Sequence, residues 1–173
     1  MKALSKNSND LQILVENNRR KKQKNQRVDA ESLNFPKLSE DFIRNLTFGV
    51  YQLKQSKSYT QEHLNDDGEY EYEFIDYEKE ILRVKINSRH KSQTIYNTFI
   101  KYSSDINSPI GGWYCDCRAG ARVVGCCAHV ASIIWFLGVG LYNSKLLKIT
   151  RSGFYQNLCI DASERNIKYN LNE

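Results

Sequence analysis

Between Cys115 and His129 the chain gathers four of its five cysteines and one of its three histidines, and three of these cysteines with the histidine form two tight pairs, Cys115-Asp116-Cys117 and Cys127-Ala128-His129. No other stretch restricts the possible folds as much. Three thiols and one imidazole are the donor set of a structural zinc ion, which takes borderline-soft sulfur and nitrogen ligands, four in number and tetrahedral, with no position left for water. The segment between the pairs has to double back, and Gly120 and Gly125 flank a short Ala-Arg-Val-Val connection there. Both glycines can take positive φ at little steric cost.

After His129 the pattern becomes helical. Val130, Ile133, Ile134 and Leu137 recur at i, i+3, i+4 and i+7, and Gly138 follows as a C-cap candidate. Residues i and i+2 of a helix do not share a face, so Cys127 and His129 can meet one ion only if Cys127 lies in the turn before the helix. Cys126 is the rival thiol, since Cys126 and His129 are i and i+3 and would face one way on a helix that began earlier. A redox dithiol would more naturally be Cys-x-x-Cys, and a disulfide framework belongs to a secreted context. Cys159 stands apart and reads as a filler or a free thiol.

The order Cys-x-Cys, nine residues, Cys-x-His and then an apolar helix resembles the SWIM-type zinc finger. The resemblance implies a small ββα unit in which Cys115, Cys117, Cys127 and His129 hold one Zn2+. It also implies a role in binding DNA or another protein, because such fingers occur in Mutator-like transposases and chromatin-associated proteins. The run from Gly112 to Trp135 is similar, more narrowly, to the version in animal proteins associated with mobile elements, which suggests a transposon-derived chain.

The net charge of +5 comes from 25 basic and 20 acidic residues, unevenly spread. Residues 1–38 read as a basic, flexible arm with a brief helical hint at Leu11, Leu14 and Val15. Within it six of the nine residues from Arg19 to Arg27 are basic. Such a block is a nuclear-import signal, a phosphate-contacting arm or a solvated tail. Residues 61–80, by contrast, hold nine acids and one lysine. Met1 to Asn7 has no apolar core of a secretory signal, and the run from Val130 to Tyr142 is too short for a membrane span. An intracellular, nuclear protein with reduced thiols is the expectation, with no membrane partner.

The fold class expected is α+β: a small zinc-stabilised ββα finger with additional antiparallel strands, an N-terminal helical segment and flexible tails. The helical segment covers 39–68, with Ser39 as N-cap and Glu40 and Asp41 in the first turn. Periodicity does not decide whether Val50 to His63 is helix or strand, and His63 reads as a surface residue. The strands and the finger fill 69–140. Tyr70, Tyr72 and Phe74 alternate with acids; Leu82, Val84 and Ile86 alternate with Arg83 and Lys85; Thr94 to Tyr102 is β-branched and aromatic. Ser103 to Gly112 carries turn residues throughout and reads as loop. Residues 141–173 read as a poorly ordered tail.

Phosphate contacts are expected from Arg19, Arg20, Lys21 and Lys22 in the arm, and from Arg89, Lys91, Arg118 and Arg122 around the cysteine pairs. Tyr96, Trp113 and Tyr114 are the candidate stacking partners. The alternative is a protein–protein interaction module that presents the Trp135 and Phe136 side of its helix and binds no nucleic acid. The chain shows no Gly-rich phosphate loop, no Ser/His/Asp set and no acidic triad. Four protein ligands would also leave a metal no open position for catalysis. An enzyme with a small-molecule substrate is therefore not expected.

Overall fold

The computed structural model describes residues 10–17, 26–47, 50–63, 73–78, 80–88, 91–105, 107–118 and 125–143. They form an α+β structure with four helices and one antiparallel sheet. In chain order these are α1 (residues 10–17), β1 (Gln26–Arg27), α2 (Glu40–Leu46), α3 (Val50–Glu62), β2 (Glu73–Glu78), β3 (Ile81–Ser88), β4 (Lys91–Tyr102), β5 (Ile110–Cys115) and α4 (Ala128–Trp135). The strands lie in sequence order, β1-β2-β3-β4-β5, each antiparallel to its neighbour. Among the described residues no helix is long and apolar enough to cross a membrane.

Alternation along β3 divides the sheet into two faces. Leu82, Val84 and Ile86 point to one side, together with Phe74, Ile100 and Trp113, and this side packs on α2, α3 and α4. The inward assignment of the three β3 residues from period two is met. On the opposite face Ile81 and Phe99 are buried with Leu11 of α1, and Leu14, Val15 and Tyr114 close around them. The short helical hint at Leu11 is thus a helix docked on the back of the sheet. The end of β4 joins the turn before β3 through Tyr102 N–H donating to Glu80 C=O at 2.9 Å, with Glu80 at a φ of 64°.

α4 is buried all round from Val130 to Leu137, as a helix at the centre of a domain must be. It does not stop at Gly138. The chain continues through one π-helical turn, Phe136–Gly140. Across that turn runs the segment before α2: Leu38 N–H donates to Gly138 C=O at 2.9 Å, and a Cβ on Gly138 would sit 2.7 Å from Leu38 Cδ1. Only a glycine admits so close a crossing.

Residues 26–38, assigned by composition to the flexible arm, belong to the body. Gln26 and Arg27 pair with Asp76 and Ile75, Val28 N–H donates to Phe74 C=O at 3.0 Å, and Phe35 and Leu38 are in the core. Their apolar residues are too far apart along the chain to show a period, so composition outweighed them. β5 begins at Ile110, inside the stretch read as loop, because Ile110 pairs with Tyr102 and fills the core despite the two glycines after it. His63 is likewise buried, not on the surface, with its ring 4.9 Å from that of Tyr59. The expected Ser39 cap is present: its hydroxyl accepts from Phe42 N–H at 3.1 Å. Tyr70, Tyr72 and the tail from 144 onward lie outside the described residues.

Candidate metal centre

The centre forms where β5 ends and α4 begins. Cys115, the last residue of β5, stands opposite Thr98 of β4 on the helix-covered face, and Thr98 Oγ1 donates to its sulfur at 3.4 Å. The backbone then turns to bring Cys117 beside it. Gly125, at a φ of 92°, reverses the returning chain just before Cys126. This is one of the two glycines singled out for that role; Gly120 lies outside the described residues.

Cys127 is the N-cap of α4, extended at φ −74° and ψ 167°, while His129 lies in the first helical turn. An extended residue followed by a helical one turns the i and i+2 side chains to the same side, which a continuous helix forbids. The donor atoms of Cys115, Cys117, Cys127 and His129 accordingly all lie within 4.8 Å of one another. Cys126 is outside this group. It is 1% exposed within the apolar core, and burial pushes its thiol up to about 12.

The separations suit a tetrahedral ion. His129 Nδ1 is 3.8 Å from Cys115 Sγ and 3.9 Å from Cys127 Sγ. Zn–S of about 2.3 Å and Zn–N of about 2.0–2.1 Å at a tetrahedral angle would put such atoms about 3.6 Å apart. On these two edges a shared ion would need only a slight contraction. Three sulfurs and one nitrogen also leave no oxygen-donor character to suit calcium or magnesium.

Electrostatics give the same reading of the donor set. Thiols this close in a buried site oppose one another's ionisation, since a second thiolate would face the first. Hydrogen bonds from Cys115 and Cys127, with His129 adding to them, hold Cys117 far below the usual thiol range. The hydrogen bond with Cys117, then that with Cys127 and burial, push Cys115 far above it. The bond with Cys115 lowers Cys127, but Cys117 and burial outweigh it and push that thiol up to about 12. A bound dication would let all three ionise.

Around the donors stands a shell that the spacing of cysteines does not reveal. Asp116, between the first two cysteines, accepts from Asn97 N–H and from Asn97 Nδ2, both at 2.9 Å, and its own N–H donates to Asn97 C=O at 3.2 Å. Asn97 Oδ1 in turn accepts from Arg83 Nη2 at 2.7 Å and Nε at 3.1 Å. The Cys-x-Cys turn is thereby tied across two strands. The signal was present in the sequence as a lone asparagine in a β-branched and aromatic run, an unfavourable strand residue without a second use. On the other side, Tyr59 of α3 reaches His129 Nε2 at 2.8 Å, and the ring of Tyr96 packs on the same imidazole with centroids 4.9 Å apart.

The residues expected to meet nucleic acid are not gathered in the same way. Arg118 is exposed directly after Cys117, and Lys91 opens β4. Arg19, Arg20, Lys21, Lys22, Arg89 and Arg122 lie outside the described residues. Trp113 is buried in the core, and Tyr114 and Tyr96 are half-buried under α1 and against His129, so the aromatic stacking partners are used internally. Trp135 and Phe136 are also buried, at 1% and 4% exposed. No family model, no curated protein and no solved structure matches this chain.

Proposed function

We propose that this chain is a SWIM-type zinc-binding module of a DNA-binding protein, transposon-derived and working in the nucleus. The observation that carries the zinc reading is the convergence of Cys115, Cys117, Cys127 and His129 within 4.8 Å, with Cys126 left in the core. The ion would be structural: it would join the end of β5 to the start of α4, with four protein ligands and no site for a substrate. The reading is therefore of a binding module and not of an enzyme.

The DNA reading rests on the family resemblance and on the distribution of positive charge. Arg118 is exposed at the metal corner, and the basic block from Arg19 to Arg27 ends in β1. With the aromatic residues turned inward, contact would be to phosphates, which gives affinity without sequence choice. The protein–protein alternative loses its expected surface, because Trp135 and Phe136 are packed inside. Elemental analysis of the purified chain should give one zinc per molecule. Binding to duplex DNA should weaken with salt, and replacing Arg19, Arg20, Lys21 and Lys22 by alanine should lower the slope of log K against log salt by about 0.9 per lost contact. A zinc-loaded chain with no salt-dependent affinity for DNA would end the nucleic-acid part of the reading.

A further inference from the structure

Tyr59 of α3 reaches the metal corner's histidine. Its hydroxyl lies 2.8 Å from His129 Nε2 and donates to the Asn87 carbonyl of β3 at 3.4 Å. A phenol has one proton. If that proton goes to Asn87, the oxygen has only lone pairs to offer the imidazole, so Nε2 must carry the hydrogen and donate it. The other ring nitrogen, Nδ1, is then the one with a free lone pair. It is also the nitrogen that faces the sulfurs of Cys115 and Cys127, at 3.8 and 3.9 Å.

We infer that Tyr59 is a positioning residue of the metal centre: it fixes His129 in the Nε2–H tautomer and so assigns Nδ1 as the zinc ligand. The inference rests on the zinc reading given above. It extends that reading beyond the finger itself, because Tyr59 belongs to a helix 70 positions earlier in the chain. Ring contacts add to the hydrogen bond: Tyr59 and His129 meet edge to face with centroids 5.1 Å apart, and the Tyr96 ring packs on the same imidazole at 4.9 Å. Such outer partners orient a ligating imidazole and raise its basicity, and their loss lowers metal affinity by about 10- to 100-fold. Metal binding and the docking of α3 on α4 are coupled through this hydrogen bond, with Thr60 Oγ1 donating to Ser132 C=O at 3.3 Å one residue further on.

The test uses the full chain, isotope-labelled and loaded with zinc or with cadmium. Imidazole NMR should show the His129 proton on Nε2 and the cadmium coupling on Nδ1. Chelator competition should show Tyr59→Phe still binding one zinc, at 10- to 100-fold lower affinity. Tyr142→Phe, which removes a hydroxyl that donates to Phe35 C=O at 3.2 Å beyond the far end of α4, should leave affinity where it was. Cadmium coupling on Nε2 would overturn the inference while leaving the zinc site intact, as would equal affinities for the Tyr59→Phe and Tyr142→Phe proteins. A chain that takes up no zinc would overturn the zinc reading and this inference with it. The tautomer measurement needs no variant, so a Tyr59→Phe protein that fails to fold does not shield the proposal.

Discussion

The two ends of α4 are held by different means. Its first turn is gripped by donor atoms and hydrogen bonds: Cys127 caps it, His129 points into the cluster, and Asp116, Asn97 and Arg83 brace the facing turn. Its last turn is held mainly by packing, where Leu38 crosses the π-helical turn against Gly138, with one backbone hydrogen bond between them, and Phe136 stacks on Phe74 with centroids 6.3 Å apart. Polar grips of the first kind depend on a cation and on pH. Apolar packing of the second kind does not. The difference means that this helix is not the short, core-poor element of a free-standing finger. A bound metal ion would organise one end of a helix whose other end is already fixed by packing.

The sharpest way to break that comparison is to remove the ligands. Cys127→Ser and His129→Ala should each abolish zinc uptake, whereas Cys126→Ser should keep it, as measured by metal analysis after gel filtration. Structural zinc contributes on the order of 10–16 kcal/mol of apparent free energy in isolated finger peptides. Here the apolar end should retain part of the structure. Hydrogen exchange after chelation should speed up over 128–131 and stay slow over 133–137; uniform loss of protection would show that the two ends are one unit. Zinc uptake should also release protons, because thiols such as Cys115 and Cys127, which their neighbours and burial push up, must ionise to bind. Because protons compete with the ion for these sulfurs, affinity should fall as pH falls, and weakly buffered calorimetry measures both effects.

Gly138→Ala attacks the other end. The added methyl would lie 2.7 Å from Leu38 Cδ1, 2.8 Å from its Cγ and 3.0 Å from its Cβ, so the crossing must spread. Overpacking of this kind costs about 1–3 kcal/mol, read as a lower denaturation midpoint with zinc content unchanged. Adding Leu38→Ala should recover part of the methyl's cost, since the two residues are in contact and their effects should not add. Zinc loss from Gly138→Ala would mean that the two ends are not separable.

Smaller effects sharpen the contrast. Asn97→Ala removes the amide that links Asp116 to Arg83 while leaving the backbone bonds between 97 and 116, and should lower zinc affinity about 10-fold while costing about 1–2 kcal/mol, separable by chelator competition and urea unfolding. Ser39→Ala removes only the cap that follows the crossing residue. It should cost about 1 kcal/mol and leave zinc affinity untouched.

Period and spacing made much of this molecule legible. Leu82, Val84 and Ile86 face the core as their alternation requires, Ser39 caps α2, and the two short pairs mark the four donors that converge. α3 was not legible because its buried side is not apolar. Leu53, Ser56, Tyr59, Thr60 and His63 recur at helical spacing, but three of the five are polar, with Ser56 bonding to Leu53 C=O at 2.7 Å and Thr60 to α4. A hydrophobic pattern cannot mark a face built from small hydroxyl side chains. Residues 26–38 were misread for the opposite reason: a few apolar side chains were diluted among polar ones.

By itself, then, the sequence determined which atoms can serve as donors, since ligand chemistry is a property of residue type and close spacing. The choice of Cys127 over Cys126 was decided by tertiary structure. Both thiols are chemically equivalent and adjacent, and only the packing of α4 buries one in hydrocarbon while the N-cap backbone turns the other toward Cys115. Tyr59, Asn97 and Leu38 owe their roles to the fold in the same way. Their partners are distant in the chain, so nothing short of the packed sheet and helices brings them together.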